Sequence, residues 1–406
     1  MKCWRRIGVL AATLLSAAGL IFTAPASAAT THLVRTSTLA MASTNDKVDA
    51  LAYANGIVYA GGMFTRMRFR GSSYIRHHLG AVHSATGKPT SFHPGVNGEV
   101  MSLAVSPDKK VLYVGGRFTA VGKTRRSDVA AFRISTGRLT SFAPTVAGPV
   151  KAIAVTRSGI YLGGNFHRVN GQVRTFAAEV SGRGKLKPWA PALDDFVRAL
   201  LVSPDKTRIF LGGGFHHVNG ATLEALGSVN LTTGANERFR NGLIPTYTDG
   251  RISQVTSLAT NGTRIFAGAE GTGGFAFDGT LAFRPRDGKL IWRNTCRGAT
   301  QAVLYLRGVL YKASHAHDCS SARSFGQIQP HWQPHHLLAE NSTTGRLLRW
   351  GTTTMSLPQP LPDTNGGLHD QLGVFALATD GKQLFVAGEF TSVNTKPQVG
   401  LARFGG

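Results

Sequence analysis

Short stretches in which apolar and polar residues alternate, separated by Gly, Asn, Asp and Pro, run through almost the whole chain. Alternation places successive side chains on opposite faces of a strand, so the pattern predicts many short strands joined by tight turns. It is clearest between Val100 and Val146. Met101–Val105 alternates and turns at Ser106-Pro107-Asp108-Lys109, and Val111–Phe118 follows. After a polar loop come Val129–Ile134, a turn at Ser135-Thr136-Gly137, and Leu139–Phe142 ending before Pro144. One strand-like run ends in a fixed phrase, Gly-Gly, one variable residue, then Phe: Gly61-Gly62-Met63-Phe64, Gly115-Gly116-Arg117-Phe118, Gly163-Gly164-Asn165-Phe166 and Gly212-Gly213-Gly214-Phe215. A worn copy closes the chain at Ala387-Gly388-Glu389-Phe390.

The Phe positions are 54, 48 and 49 residues apart, a period that marks an array of supersecondary units. Four antiparallel segments per period predict an all-β fold, a single β-propeller of seven four-stranded blades. The blades are expected at about 45–97, 98–146, 147–193, 194–249, 250–297, 298–366 and 367–406. The last blade runs out after its third segment, Val399–Phe404. Leu33–Leu39 is a strand-like segment without a blade of its own, and is expected to supply the missing strand and close the ring. The Gly pairs are expected where a side chain would obstruct a neighbouring backbone, with the Phe filling the gap between blades.

Phrases such as Gly163-Gly164-Asn165-Phe166-His167-Arg168-Val169-Asn170-Gly171 and Gly212–Gly220 resemble the delta-60-type propeller repeats of secreted actinobacterial proteins. They are also similar to repeats in the extracellular part of fungal cortical polarity markers. The resemblance implies the fold and carries no reaction, because propellers host many functions.

The N-terminus changes the picture of where the chain acts. A basic start (Lys2, Arg5, Arg6), an apolar run from Ile7 to about Phe22 and small residues up to Ala28 read as a secretory signal peptide, residues 1–28, leaving 29–406 as an exported propeller domain. No later stretch is apolar and long enough to span a bilayer, and a monomer is expected. Without Lys2, Arg5 and Arg6, 42 basic side chains face 21 acidic ones. That excess favours an anionic polymer or cell-envelope component as partner.

Propeller topology puts the loop after each second strand on one rim. Arg66, Arg68, Arg70, Arg76, His77, Arg125, Arg126, His167, His216 and His217 fall there, with Asp194, Asp195 and Asp370 beside the channel mouth. This basic, His-rich face is the expected binding surface. The sixth period departs from the rest: Lys312-Ala313-Ser314-His315-Ala316-His317-Asp318-Cys319 replaces the Gly pair. His315, His317, Asp318 and His369 are candidate ligands for a divalent metal, since His two apart on a strand share a face. Cys296 and Cys319 are expected to form a disulfide. The alternative to a binding protein is therefore a metal-assisted extracellular hydrolase or lyase acting on carbohydrate. No nucleophile elbow, P-loop or His-Glu-x-x-His motif is present.

Overall fold

The computed structural model describes Met1 and residues 31–406, apart from 241, 248, 273–275, 327–334, 351–354 and 357–372. The predicted signal peptide lies almost wholly outside these residues. Among the described residues seven larger antiparallel sheets follow the repeats. Their first strands are Val48–Ala54, Glu99–Val105, Val150–Val155, Val197–Val202, Ile252–Thr260, Thr300–Leu306 and Val374–Thr379. Each first strand packs on the next, and Val374–Thr379 returns to Val48–Ala54, so the sheets stand around a common axis as propeller blades.

The second strands explain the Gly pairs. Every first strand bulges: Val48 pairs with Gly62 but Ala50 with Gly61, leaving Asp49 over, and the other six repeat the arrangement. A Cβ on the second Gly would meet backbone across this bulge, 2.3 Å from the Lys47 carbonyl oxygen at Gly62 and 2.1 Å from that of Pro149 at Gly164. A Cβ on the first would enter the next blade, 2.2 Å from Val100 at Gly61 and 2.6 Å from Val197 at Gly163. One glycine thus lets strands approach within a blade and the other between blades. The following Phe64, Phe118, Phe166, Phe215 and Phe390 are buried.

Among the described residues the expected fourth strand is complete only in the fifth sheet, Leu290–Asn294. In five others it shrinks to a single bridge, such as Val82 to Pro89 or Phe132 to Leu139. In the first three blades Pro89, Pro94, Pro144, Pro188 and Pro191 stand in or beside these segments and lack the N–H a ladder needs. The last sheet receives the same bridge from the N-terminal segment, Thr38 to Phe404. Leu39 N–H donates to the Arg403 carbonyl at 2.8 Å, as Thr90 does to Ala81 and Thr140 to Ala131. Val34 is stitched to the sixth repeat, its N–H donating to Tyr311 Oη (2.8 Å) and its carbonyl accepting from Trp350 Nε1 (2.6 Å).

Candidate functional site: the hairpin rim and the channel mouth

The stretch after each second strand, expected as a polar loop, is a small β-hairpin in five repeats: Arg66–Phe69 with Ser72–Ile75, Ala120–Val121 with Thr124–Arg125, Arg168–Val169 with Gln172–Val173, His217–Val218 with Ala221–Thr222, and Ser392–Val393 with Lys396–Pro397. The missed signal was local. Arg70-Gly71, Asn170-Gly171 and Asn219-Gly220 all have positive φ at both residues, the two-residue turn that Asn-Gly favours. In the first hairpin, strand alternation buries Met67 and exposes Arg66 and Arg68. Arg70, Lys123 and Arg125 are exposed as well, and none of these five cations has a salt bridge among the described residues. Exposed His77 lies beside them, and exposed His167 packs edge-on against Phe176.

Other candidates on this rim turn out to belong to the scaffold. Arg126 donates to the carbonyls of Arg125 (2.8 Å) and Thr140 (2.9 Å), tying the hairpin to the fourth segment of its blade. Buried Arg76 does the same with Ile75 and Thr90, and Arg174, which sequence reasoning passed over, with Val173 and Lys187. Arg76 and Arg126 thus fasten their hairpins to the fourth segments of their blades. Asp194 Oδ1 accepts from the N–H groups of His216 (2.9 Å) and His217 (3.0 Å), as Asn45 Oδ1 does from Thr65 and Arg66 in the first repeat. Asp195 caps the Phe196 N–H at 2.7 Å. These two carboxylates hold backbone, and Asp370 lies outside the described residues. The two His carry their own acids. His217 Nδ1 is 2.7 Å from Asp194, and His216 Nδ1 is 2.9 Å from Glu224, whose hydrogen bond raises the His216 pKa.

At the channel mouth the bulges gather a cluster that the sequence reading did not assemble. The residue left over in each first strand is Asp49, Met101, Lys151, Arg198, Thr256, Gln301 or Phe375. Arg198 of the fourth blade reaches Glu270 and Gln254 (3.4 Å) of the fifth and Gln301 (3.3 Å) of the sixth, a span possible only near the axis. Lys47 joins Asp49 (3.2 Å) and Glu99 (2.8 Å). Burial pushes the Asp49 carboxyl up to about 7 against the pull of Lys47. The available signal was the variable residue in Val48-Asp49-Ala50, Val150-Lys151-Ala152 and Val197-Arg198-Ala199.

In the sixth repeat Ala313 and Ser314 occupy the Gly-pair positions, pairing with Ala302 and Thr300 across the same bulge. His315 and His317 present nearly parallel rings 6.2 Å apart, as spacing two on a strand requires. His315 Nε2 accepts the Ala299 N–H at 3.3 Å. Asp318 turns away, accepting from Ser320 N–H (2.9 Å) and lying 3.8 Å from Arg297. His369 lies outside the described residues, and among those described no three His, Cys, Asp or Glu side chains converge as a metal site. Buried His336 is kept neutral, its pKa pushed down to about 4 by burial and by His315 and His335. Cys296 and Cys319 form the expected disulfide, with Cα atoms 4.2 Å apart. Behind them Lys312 and Glu340 are wholly buried. Glu340 accepts from Thr280 Oγ1 (2.9 Å) and Asn294 Nδ2 (3.1 Å) of the fifth blade.

Residues 77–189 match the family described as Rax2 C-terminal beta propeller domain, which supports propeller repeats in this chain. No curated protein matches. Among solved structures the chain is similar to the computationally designed Ika8 protein, with 13% identity, a TM-score of 0.46, and coverage of 91% of this chain and 99% of that one. No helix among the described residues is long and apolar enough to cross a membrane.

Proposed function

We propose that the chain is a secreted binding propeller, of the type built from delta-60-like repeats, that engages an anionic cell-surface or extracellular polymer through the hairpin rim of its first two blades. One observation carries this reading: Arg66, Arg68, Arg70, Lys123 and Arg125 stand exposed on neighbouring hairpins with no carboxylate partner among the described residues. Lys47, Lys187, Arg198 and Arg284, by contrast, each lie against a carboxylate. Like charges on a shared rim attract a polyanion through a field that salt screens. Retention on immobilised heparin and on isolated cell-wall fractions should fall steeply between about 0.05 and 0.5 M salt, where the screening length shrinks from over ~10 Å to under ~5 Å. Retention indifferent to salt overturns an electrostatic mode. The second reading, a metal-assisted hydrolase or lyase, rests on the parallel rings of His315 and His317. Elemental analysis of the purified protein decides it, and absence of stoichiometric metal ends it.

A further inference from the structure

A second basic feature lies on the opposite rim, where the short turns within blades are found. Arg208 opens the strand Arg208–Gly213, just after the turn at 203–206. Arg284 and Arg286 sit in the turn between Gly279–Phe283 and Leu290–Asn294. With Arg238 and Asp287 they line a cleft of about 330 Å³ between the fourth and fifth blades. Four guanidinium groups therefore face one space.

Two of them are held in place. Arg208 donates to the Arg286 carbonyl at 3.0 Å and lies 3.7 Å from Glu237. Arg284 grips Asp287 with two prongs, Nε to Oδ1 at 2.8 Å, and this hydrogen bonding holds the Asp287 carboxyl well below the usual range. The side chains of Arg238 and Arg286 are exposed and form no hydrogen bond or salt bridge among the described residues. Four cations against Glu237 and Asp287 leave the cleft positive, with two guanidinium forks open.

We propose that this cleft is a binding site for a tetrahedral oxyanion, a phosphate or sulfate group carried by an extracellular ligand. Guanidinium forks match such groups with paired N–H donors, and a group with three or more terminal oxygens can satisfy forks arriving from several directions where a carboxylate offers two. The volume suits a small charged group and the sugar or glycerol unit attached to it. The inference stands apart from the hairpin rim, because the two surfaces share no residue.

Calorimetric titration of the full mature protein with inorganic phosphate, sulfate and acetate at low ionic strength tests it. Saturable one-site binding of phosphate or sulfate is expected, with acetate weaker, and whichever oxyanion binds more tightly identifies the ester class. Arg238→Gln with Arg286→Gln should weaken that binding at least about tenfold, the effect of losing one to two charge-assisted pairs. Both side chains are exposed, so the variant keeps its packing. Arg66→Gln with Arg68→Gln should leave phosphate binding unchanged even where it lowers polymer retention, which separates failure of this site from failure of the rim. Absence of saturable binding for both oxyanions, or equal affinity in the Arg238/Arg286 variant, overturns the site.

Discussion

The first five blades and the last two solve the same packing problem differently. Between regular blades the contact is apolar and close, a bare glycine against Val100, Val150, Val197 or Val255 of the next blade. In the sixth repeat Ala313 carries a real Cβ at that place and Lys312 stands where Leu162 or Leu211 is found, so the close apolar contact is replaced by other fastenings. Glu340 bonds across to the fifth blade, Cys296 and Cys319 join neighbouring loops, and the N-terminal segment is stitched to Tyr311, Trp350 and Phe404. A repeat can thus abandon its most regular feature when separate bonds take over the junction. The uncompensated hairpin cations belong to the regular half, while the fourth blade's rim already pairs its His with acids.

Removing the N-terminal stitch should have the largest effect. A chain starting at Asn45 loses buried Val34, Met41 and Ala42 together with the Thr38 bridge. Its melting temperature should fall by on the order of 10 °C relative to one starting at Thr31, from several kcal/mol of lost burial and an opened edge. Equal melting temperatures would show that the segment does not close the ring.

Next comes the glycine itself. Gly164→Ala drives a Cβ to 2.1 Å from the Pro149 carbonyl oxygen, a backbone atom with nowhere to go, and should cost about 2–3 kcal/mol in denaturant unfolding. Ala313→Gly, at the neighbouring position of the sixth repeat, should cost only about 1 kcal/mol. Similar losses in both would erase the distinction between the two halves.

The period was legible because the Gly pair and its Phe are demanded locally, by the strand-to-strand approach at Gly61 and Gly62. The disulfide was legible for a similar reason, since Cys296 and Cys319 are the only cysteines after Cys3. The channel cluster was not legible, because Arg198 meets Gln301 two blades away and only register and bulge bring them together. The backbone bonds of Arg76 and Asp194 were not legible, because a polar residue beside a turn looks the same whether it serves a ligand or the backbone. In the first three blades the fourth strands were overdrawn because alternation was counted and the prolines were not.

A smaller and more selective effect is expected with pH. Burial raises the Glu340 carboxyl to about 7, opposed by Lys312. A raised acid holds its proton in the folded state, so its contribution is fully present below the ordinary carboxylate range and is lost as pH rises through about 7. Glu340→Gln cannot ionise. Its stability relative to the parent should therefore improve between about pH 5 and pH 7 and then level off, a shift read from paired thermal melts. Parallel pH profiles would mean that Glu340 does not titrate as its burial requires.

The central claim is that the hairpin rim of the regular half, rather than net charge, captures an anionic polymer. Two variants with equal charge change test it: Arg66→Glu, Arg68→Glu and Arg125→Glu on the rim, and Arg297→Glu, Arg307→Glu and Arg323→Glu in the irregular half. The quantity measured is the salt concentration at half-elution from immobilised heparin and from cell-wall fractions. The rim variant should elute near the void at about 0.1 M salt, within reach of the screening length, while the other variant keeps most of the parent's retention. Equal loss in both would contradict the account and reduce the binding to a property of overall charge.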